Sequence, residues 1–172
     1  MNAAGARPRL VLVGAMGSGK TTVGGLVAER LGVALRDTDA DIVSETGREI
    51  GEIFVDEGEQ HFRDLERAAV RAALSEHEGV VALGGGAVIS AETRDLLRGL
   101  TVVFLDVGLS DAVRRVGLGV SRPLLLGNVR ARLKALLDER YPLYREVATV
   151  TVDTNGRDPE DIADEIAKAV TT

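Results

Sequence analysis

The chain has 172 residues, a length that suits one domain with a sizeable core. Its net charge of −6 argues against a general nucleic-acid binder, and the absence of cysteine excludes a disulfide framework and a thiolate metal site. No apolar run approaches the roughly 18 residues of a membrane span, and residues 1–8 lack the apolar region of a signal peptide. We therefore expect a cytoplasmic enzyme with no nucleic-acid or membrane partner, and a disordered segment at residues 1–8.

The first predicted strand, Leu10–Val13, runs through a glycine-rich loop into a predicted helix, Lys20–Leu31. Gly14, Gly19, Lys20 and Thr21 follow the pattern G-x-x-x-x-G-K-[ST], a phosphate-binding P-loop. In such a loop, backbone N–H groups and the helix N-terminus surround phosphates, the lysine adds a positive charge, and the threonine hydroxyl is a natural Mg²⁺ ligand. The residues predicted to bind the phosphates are Gly14, Ala15, Met16, Gly17, Ser18, Gly19, Lys20, Thr21 and Thr22.

Strands and helices alternate along the rest of the chain, which predicts an α/β fold with a mostly parallel sheet covered on both faces. The further strands are predicted at Val33–Leu35, Val80–Leu83, Thr101–Leu105 and Val147–Val152. The further helices are predicted at Ala40–Thr46, Glu49–Asp56, Glu59–Glu76, Ala91–Leu97, Leu109–Val116, Val129–Arg145 with a kink or break at Pro142, and Pro159–Val170. In such a sheet the ligand lies beyond the carboxyl ends of the strands, so the residues after each strand are the candidates for chemistry.

Two acids, Asp37 and Asp39, come just after the second predicted strand. Two residues apart on an extended segment, they would point to the same side, one toward Mg²⁺ and the other toward a substrate. The alternative is that Asp39 caps the following helix. Asp106, which ends the fourth apolar run, competes with Asp37 as the Mg²⁺ ligand, and spacing alone does not decide between them.

Gly84, Gly85 and Gly86 directly follow the third predicted strand. Three consecutive glycines carry a high conformational-entropy cost, which indicates that a substrate, or alternatively another part of the chain, approaches the backbone closely. Farther along, Arg122 lies in a segment rich in glycine, Gly117–Pro123. A mobile loop with an arginine is typical of a lid that closes over phosphates, and we place the lid at about residues 117–128.

The ordered set of motifs resembles the shikimate kinase family, over about residues 9–165. The motifs are Gly14-Ala15-Met16-Gly17-Ser18-Gly19-Lys20-Thr21, Asp37-Thr38-Asp39, Gly58-Glu59-Gln60-His61-Phe62-Arg63, Leu83-Gly84-Gly85-Gly86, Ser121-Arg122-Pro123-Leu124 and Arg140-Tyr141-Pro142-Leu143-Tyr144. The resemblance implies the nucleoside-monophosphate-kinase type of fold, three layers around five parallel strands in the order 2-3-1-4-5. It also implies ATP-dependent phosphorylation of the shikimate 3-hydroxyl, in a single domain whose substrate-binding helices span about residues 40–76.

The resemblance also implies roles for individual residues. Asp39 would bind the shikimate hydroxyls and assist deprotonation, while Arg63 and Arg140 would hold the carboxylate. The rest of the substrate site would consist of Gly84, Gly85, Gly86, Phe54, Phe62 and Glu66. Lys20 and Arg122 would be catalytic. One Mg²⁺ ion would accompany ATP on Thr21 and, usually through water, on Asp37. The remaining ATP-binding residues would be Arg115, Arg122, Arg157 and Pro159.

Two other functions compete with this prediction. Another small P-loop kinase, such as a gluconate kinase, would share the P-loop and the lid but would not be expected to combine Asp39 with Arg63 and Arg140. A regulatory nucleotide-binding protein without catalysis would be expected to have lost Lys20, Asp39 or one of the arginines, and this chain keeps them all. We expect ATP and shikimate as the only partners of a monomeric enzyme.

Overall fold

Five parallel strands form the centre of the fold in the computed structural model, which describes residues 5–117 and 128–171. The strands are β1 (Leu10–Val13), β2 (Leu35–Asp37), β3 (Val80–Ala82), β4 (Val102–Asp106) and β5 (Val150–Asp153). They lie in the order β2-β3-β1-β4-β5, and every neighbouring pair is parallel. The predicted strand order is therefore confirmed.

Helices cover both faces of this sheet, as the alternating pattern predicts. They are α1 (Lys20–Leu31), α2 (Thr38–Thr46), α3 (Ile50–Glu57), α4 (Glu59–Glu76), α5 (Ala91–Leu96), α6 (Leu109–Gly117), α7 (Val129–Val147) and α8 (Pro159–Thr171). A short 3-10 helix, Ala87–Ile89, follows the triple glycine and was not predicted. Among the described residues, no helix has the length and apolar character that crossing a membrane requires.

The alternation of side chains along the strands divides the core into two layers. Leu10 and Leu12 of β1 belong to a cluster that packs against α1 and α8, with Val27 and Ile166 among its members. Val11 and Val13 face the other way. Their cluster packs against the helices of the opposite face, including buried residues Val70, Ala73, Leu133 and Tyr144. Because β1 is buried on both faces, the first residue of the P-loop is held firmly in place.

A third, smaller cluster joins α2, α3 and α4 to one another. Its buried members are Ile42, Ile53, Phe62 and Ala69, with Phe54 packed against them. These helices form a compact unit beside the sheet, in the region predicted to bind the acceptor. Packing within this unit therefore fixes the positions of Phe54, Phe62 and the neighbouring residues of α4.

The second strand lies two residues later than the sequence predicts, at Leu35–Asp37 instead of Val33–Leu35. In the parallel register, Leu35 pairs with Val80 and Asp37 pairs with Ala82. The strand is at the edge of the sheet and only partly buried, so it tolerates charged residues that a search for apolar runs misses. The consequence is that Asp37 belongs to the strand and marks its carboxyl end.

The last predicted strand also begins too early, because α7 continues through Pro142 to Val147 and β5 starts only at Val150. Proline removes one helical N–H and thus leaves the carbonyl four residues earlier, that of Asp138, without its donor. Both Pro142 and Asp138 are exposed, so water can hydrate that carbonyl. The packing of Tyr144 and Leu133 against the sheet maintains the helix on either side of the proline.

Two adjacent glycines in α1 provide a test of this packing. Gly25 is exposed and a Cβ there meets nothing within 4 Å, whereas a Cβ at Gly24 lies 3.0 Å from methyl carbons of Leu12 and Leu35. Gly25→Ala should therefore raise the melting temperature by about 2–4 °C, since alanine is better than glycine in a helix by roughly 0.5–1 kcal/mol. Gly24→Ala should melt below Gly25→Ala in the same thermal scan, because the leucines must shift. Equal melting temperatures would contradict the close packing of α1 on β1 and β2.

Candidate active site

The carboxyl ends of the strands bring together segments that are far apart in the sequence. The P-loop follows β1, Asp37 ends β2, the triple glycine begins two residues after the last residue of β3, and Asp106 ends β4. Because neighbouring strands are parallel, all these segments meet at one edge of the sheet. The prediction that these segments share one edge of the sheet is confirmed by the topology, and the contacts described below give their geometry.

The P-loop encloses its own lysine in the structure. The Lys20 ammonium donates to the carbonyl oxygens of Gly14 at 2.7 Å and Ala15 at 3.1 Å. Gly17 and Gly19 have φ values of 83° and 90°, a region that favours glycine. A Cβ at Gly14 would lie 2.8 Å from the carbonyl oxygen of Leu105. The loop therefore needs its glycines for both conformation and space, and it ends at the N-terminus of α1, where N–H groups favour anions.

Thr21 and Asp37 are in direct contact, since the Thr21 hydroxyl donates to Asp37 Oδ2 at 3.0 Å. The other oxygen of Asp37 accepts from the backbone N–H groups of Asp39 at 2.8 Å and Ala40 at 3.2 Å. Asp37 is thus the N-cap of α2. The expectation that Asp37 and Asp39 share one extended segment is wrong, because Asp39 already lies in the first turn of α2. The helix cap, which we considered for Asp39, belongs to Asp37.

Asp106, the alternative Mg²⁺ ligand, lies among different neighbours. Its carboxylate accepts from the Tyr141 hydroxyl at 3.5 Å, and it is paired in register with Asp153 of β5. Burial and the neighbouring Asp153 raise the pKa of the Asp106 carboxyl. The threonine of the P-loop contacts Asp37, so the geometry favours Asp37 as the acid beside the phosphates.

The triple glycine makes room for the charged side chains of the site. A Cβ at Gly84 would lie 2.6 Å from Asp39 Oδ1, and a Cβ at Gly86 would lie 2.7 Å from Arg63 Nη2 and closer still to Nη1. Real Cβ atoms do not approach other atoms so closely, so the Asp39 carboxylate and the Arg63 guanidinium lie directly against the backbone. The sequence left open whether a substrate or another part of the chain makes this approach. In the structure, the side chains of Asp39 and Arg63 approach the glycine backbone closely.

Arg63 is held on several sides. Its guanidinium donates to Glu66 at 2.9 Å and to the exposed Glu59 at 3.3 Å, and its side chain is only 15% exposed. The rings of Phe54 and Phe62, whose centroids are 4.7 Å apart, both lie within 6 Å of the guanidinium carbon. Cation–π attraction and the two carboxylates therefore fix the guanidinium plane.

Glu66 is the buried acid of this cluster. Burial raises the pKa of its carboxyl, and the charge and hydrogen bond of Arg63 lower it in part. Asp39 raises the same pKa and Arg140 lowers it. Because each of these groups is close enough to influence Glu66, the structure brings Asp39, Arg63, Glu66 and Arg140 together.

Arg140 belongs to α7, a different element from the α4 helix that carries Arg63 and Glu66. Its Nε atom is buried and has no hydrogen-bond partner among residues 5–117 and 128–171. Buried guanidinium nitrogens are normally hydrogen bonded, so this atom is suited to an anionic oxygen supplied by a ligand.

The segments predicted to bind the nucleotide base lie around the loop after β5. Arg115 of α6 donates to the carbonyl oxygens of Gly17 at 3.0 Å and Thr154 at 2.8 Å, and so joins the P-loop to that loop. Arg157 donates to the carbonyl oxygen of Asp153 at 2.8 Å, and Pro159 is the exposed first residue of α8. Arg122 and nearly all of the predicted lid lie outside the described residues.

Sequence reasoning missed two residues that shape the site. Thr38 is fully buried, and its hydroxyl accepts from the Gly84 N–H at 3.3 Å. Tyr144 is also buried and donates to the Gly85 carbonyl at 2.6 Å. The signal for Tyr144 was its rarity, because the chain has only two tyrosines, three phenylalanines and no tryptophan. Phe104 of β4 packs against both tyrosines, and Phe54 packs against Phe62.

Comparisons with known proteins agree with the geometry. The model of the shikimate kinase family matches residues 16–171. The chain is 63% identical to the shikimate kinase of Salinispora tropica over 93% of this chain and 96% of that relative. The shikimate kinase of Acinetobacter baumannii, solved in complex with shikimate, superposes with a TM-score of 0.91 at 39% identity, over 96% of this chain and 93% of that one. A gluconokinase from Sinorhizobium meliloti is more distant, with a TM-score of 0.63 at 26% identity, over 97% of this chain and 91% of the other.

The buried acid leads to a prediction about pH. Because burial raises the pKa of Glu66 above its ordinary 4.5, the folded state binds this proton more tightly than the unfolded state does. The protonated Glu66 therefore contributes to the free energy of unfolding of the wild type at low pH. This contribution should be lost as the pH rises from about 4.5 through the raised pKa of the folded state. In Glu66→Gln the side chain at position 66 no longer titrates. The difference in melting temperature, variant minus wild type, should therefore become more positive between about pH 5 and about pH 8.

Glu59→Gln is the matched control, since it removes the exposed carboxylate that contacts the same guanidinium. Its melting-temperature difference should change less over the same pH range, because an exposed carboxylate loses little hydration on folding. A Glu66→Gln difference that stays constant or falls with pH would contradict the burial of this acid.

Proposed function

The chain belongs to the shikimate kinase family, and we propose from this premise how the residues of its site divide the work. The reaction is the ATP-dependent phosphorylation of the shikimate 3-hydroxyl, which gives shikimate 3-phosphate and ADP. The observation that carries the assignment of roles is the arrangement of two guanidiniums and one carboxylate around the triple glycine, directly beside the P-loop.

Arg63 and Arg140 hold the carboxylate of shikimate in this proposal. They come from different elements, α4 and α7, and both are close to the buried Glu66. Two planar guanidiniums can pair with one carboxylate and fix its orientation as well as its position. The buried Nε of Arg140, which has no hydrogen-bond partner among the described residues, supports this role.

Asp39 binds the hydroxyls at the other end of the acceptor. Its carboxylate lies against Gly84, so the backbone limits the directions from which a hydroxyl can reach it. A carboxylate there accepts hydrogen bonds from the acceptor and orients the 3-hydroxyl for attack, and it is placed to take the proton of that hydroxyl. In this proposal, Phe54 and Phe62 provide an apolar surface for the shikimate ring. The backbone of Gly84, Gly85 and Gly86 lines another side of the same site.

The P-loop binds the phosphates of ATP. Backbone N–H groups of the loop, the N-terminus of α1 and the Lys20 ammonium all favour negative charge at one point. Arg122, by its resemblance to the lid arginine of the family, supplies a further positive charge to the transferring phosphoryl group. Phosphoryl transfer depends on positioning and charge neutralisation more than on covalent chemistry, and these residues provide both. Arg115, Arg157 and Pro159 border the base in this assignment.

Thr21 in the first turn of α1 and Asp37 at the end of β2 fit a magnesium ion. Kinases of this family use ATP and generally Mg²⁺, and hydroxyl and carboxylate oxygens are the ligands that this ion prefers. The Thr21 hydroxyl and Asp37 Oδ2, which are 3.0 Å apart, would hold it at the phosphate side of the site. When bound, the ion neutralises charge on the phosphate oxygens.

The remaining expectations stay predictions: one domain with a lid at about residues 117–128, a monomer, a cytoplasmic location, and no nucleic-acid or membrane partner. They follow from length, charge and the resemblance to the family.

ADP release in the presence of MgATP tests the function directly. Shikimate, gluconate and nucleoside monophosphates should be compared at equal concentrations, and we expect turnover with shikimate only. A site built to pair a carboxylate and hydroxyls rejects acceptors that leave its buried charges unpaired. Absence of turnover with shikimate would overturn the proposal, as would equal turnover with gluconate.

Arg63→Ala and Gly86→Ala should both impair use of the acceptor. Each should raise the KM for shikimate by about 10- to 100-fold, since a hydrogen bond to a charged group contributes about 1.5–3 kcal/mol. Gly86→Ala acts by displacing Arg63, so the double variant should be no worse than Arg63→Ala alone. The KM for ATP is the control and should change less than about twofold, because the P-loop is untouched.

Initial rates at varied shikimate and ATP measure both constants for each variant. Additive effects of the two substitutions would show that Gly86 serves the site in some way other than making room for Arg63. A loss of ATP affinity with shikimate affinity retained would show that the two binding sites are assigned the wrong way round.

A further inference from the structure

Tyr144 is a buried polar residue of the site to which the proposed chemistry assigns no task. Its side chain is only 1% exposed, which is unusual for a tyrosine in a helix that is otherwise largely exposed. The ring stacks on Phe104 of β4, with centroids 5.0 Å apart and planes 27° apart. This packing holds the phenol in one orientation and directs its hydroxyl toward the triple glycine.

The Tyr144 hydroxyl makes a short hydrogen bond across the site. It donates to the Gly85 carbonyl at 2.6 Å, joining α7 to the turn after β3, 59 residues earlier in the sequence. Burial raises the pKa of Tyr144 to about 12, so the phenol keeps its proton and remains a donor throughout the physiological range. The bond to Gly85 is therefore retained across the physiological pH range.

Both partners of this bond adjoin the groups that bind the acceptor. Arg140 lies one helical turn before Tyr144, and its charge acts on the phenol. Gly84 and Gly86 lie on either side of Gly85. The Asp39 carboxylate contacts the backbone at Gly84, and the Arg63 guanidinium contacts it at Gly86. The Tyr144–Gly85 hydrogen bond thus joins α7, which carries Arg140, to the turn against which Asp39 and Arg63 lie.

We propose that Tyr144 is a positioning residue, whose hydroxyl sets the distance between Arg140 and the Gly84–Gly86 turn and thereby determines the affinity for shikimate. The inference rests on the proposed function, because it assumes that Arg63 and Arg140 bind the same carboxylate. Without the hydroxyl, α7 would still pack through the aromatic ring, but the turn would no longer be fixed to it. The two guanidiniums would then lose their common alignment on one ligand.

Tyr144→Phe tests the proposal because it removes the hydroxyl and keeps the ring on Phe104. The KM for shikimate should rise about fivefold to tenfold, which corresponds to the loss of one hydrogen bond. The KM for ATP should stay within about twofold, and kcat should fall less than the KM rises. A purely structural role would lower the melting temperature without separating the two KM values.

Tyr141→Phe is the matched control. It lies on the same helix, it is partly exposed, and its hydroxyl contacts Asp106 at 3.5 Å and not the glycine turn. Both KM values of this variant should equal those of the wild type. An unchanged KM for shikimate in Tyr144→Phe would overturn the inference, and so would equal rises in the KM values for shikimate and ATP.

Tyrosine fluorescence gives a second readout that does not require Tyr144→Phe to fold. The chain has two tyrosines and no tryptophan, so Tyr141→Phe leaves Tyr144 as the only emitter apart from weak phenylalanine. Shikimate added without ATP should change this emission with saturation, because the ligand binds beside the phenol. Saturable binding by calorimetry with no change in emission would contradict the proposal. Absence of wild-type turnover with shikimate would instead overturn the proposed function itself.

Discussion

Parallel pairing of five short strands is the constraint on which the whole site depends. Each strand ends in a residue or loop that could do little alone, and the shared direction brings these ends to one edge. The register of β2 against β3 determines which side chains meet at this edge, because Asp37 pairs with Ala82, two residues before Gly84. A one-residue slip of β2 would turn Asp37 away from Thr21 and move Asp39 away from Gly84. The buried β1, fixed from both faces, holds the P-loop against these groups.

The site concentrates charge in a small, partly buried volume, and glycine makes this possible. Asp39, Arg63, Glu66 and Arg140 carry two charges of each sign, so the cluster is nearly neutral while each group remains polar enough to bind a ligand. A buried charge is costly unless it is paired, which explains why Glu66 accompanies Arg63. The side chains can lie this close to the turn after β3 only because Gly84 and Gly86 lack Cβ atoms. The overall negative charge of the chain is therefore no obstacle to binding anions here.

Local patterns predicted the parts of this structure that depend on neighbours in sequence. The P-loop, the Asp37 and Asp39 pair, the triple glycine and the alternation of strands and helices belong to this class, and the resemblance to a family added the roles of Arg63 and Arg140 and specified that of Asp39. The second strand was misplaced because an edge strand can end in Arg36 and Asp37, which apolar periodicity does not detect. The contact of Tyr144 with Gly85 could not be predicted, because the two residues lie on different elements and no local spacing joins them. The fold was thus more predictable than the contacts that align the site.

Rigidity connects these contacts to the choice of acceptor. The glycine turn, the Thr38 contact to Gly84 and the packing of α4 on its neighbours hold Asp39 and Arg63 in place. A ring acid such as shikimate presents its carboxylate and hydroxyls at fixed separations, so it can match a fixed site with little loss of conformational entropy. An open-chain hydroxy acid such as gluconate would have to freeze several rotatable bonds to reach the same groups. In the proposed function, the choice of acceptor therefore depends on the groups that Asp39, Arg63 and Arg140 offer and on how firmly the turn after β3 holds the first two.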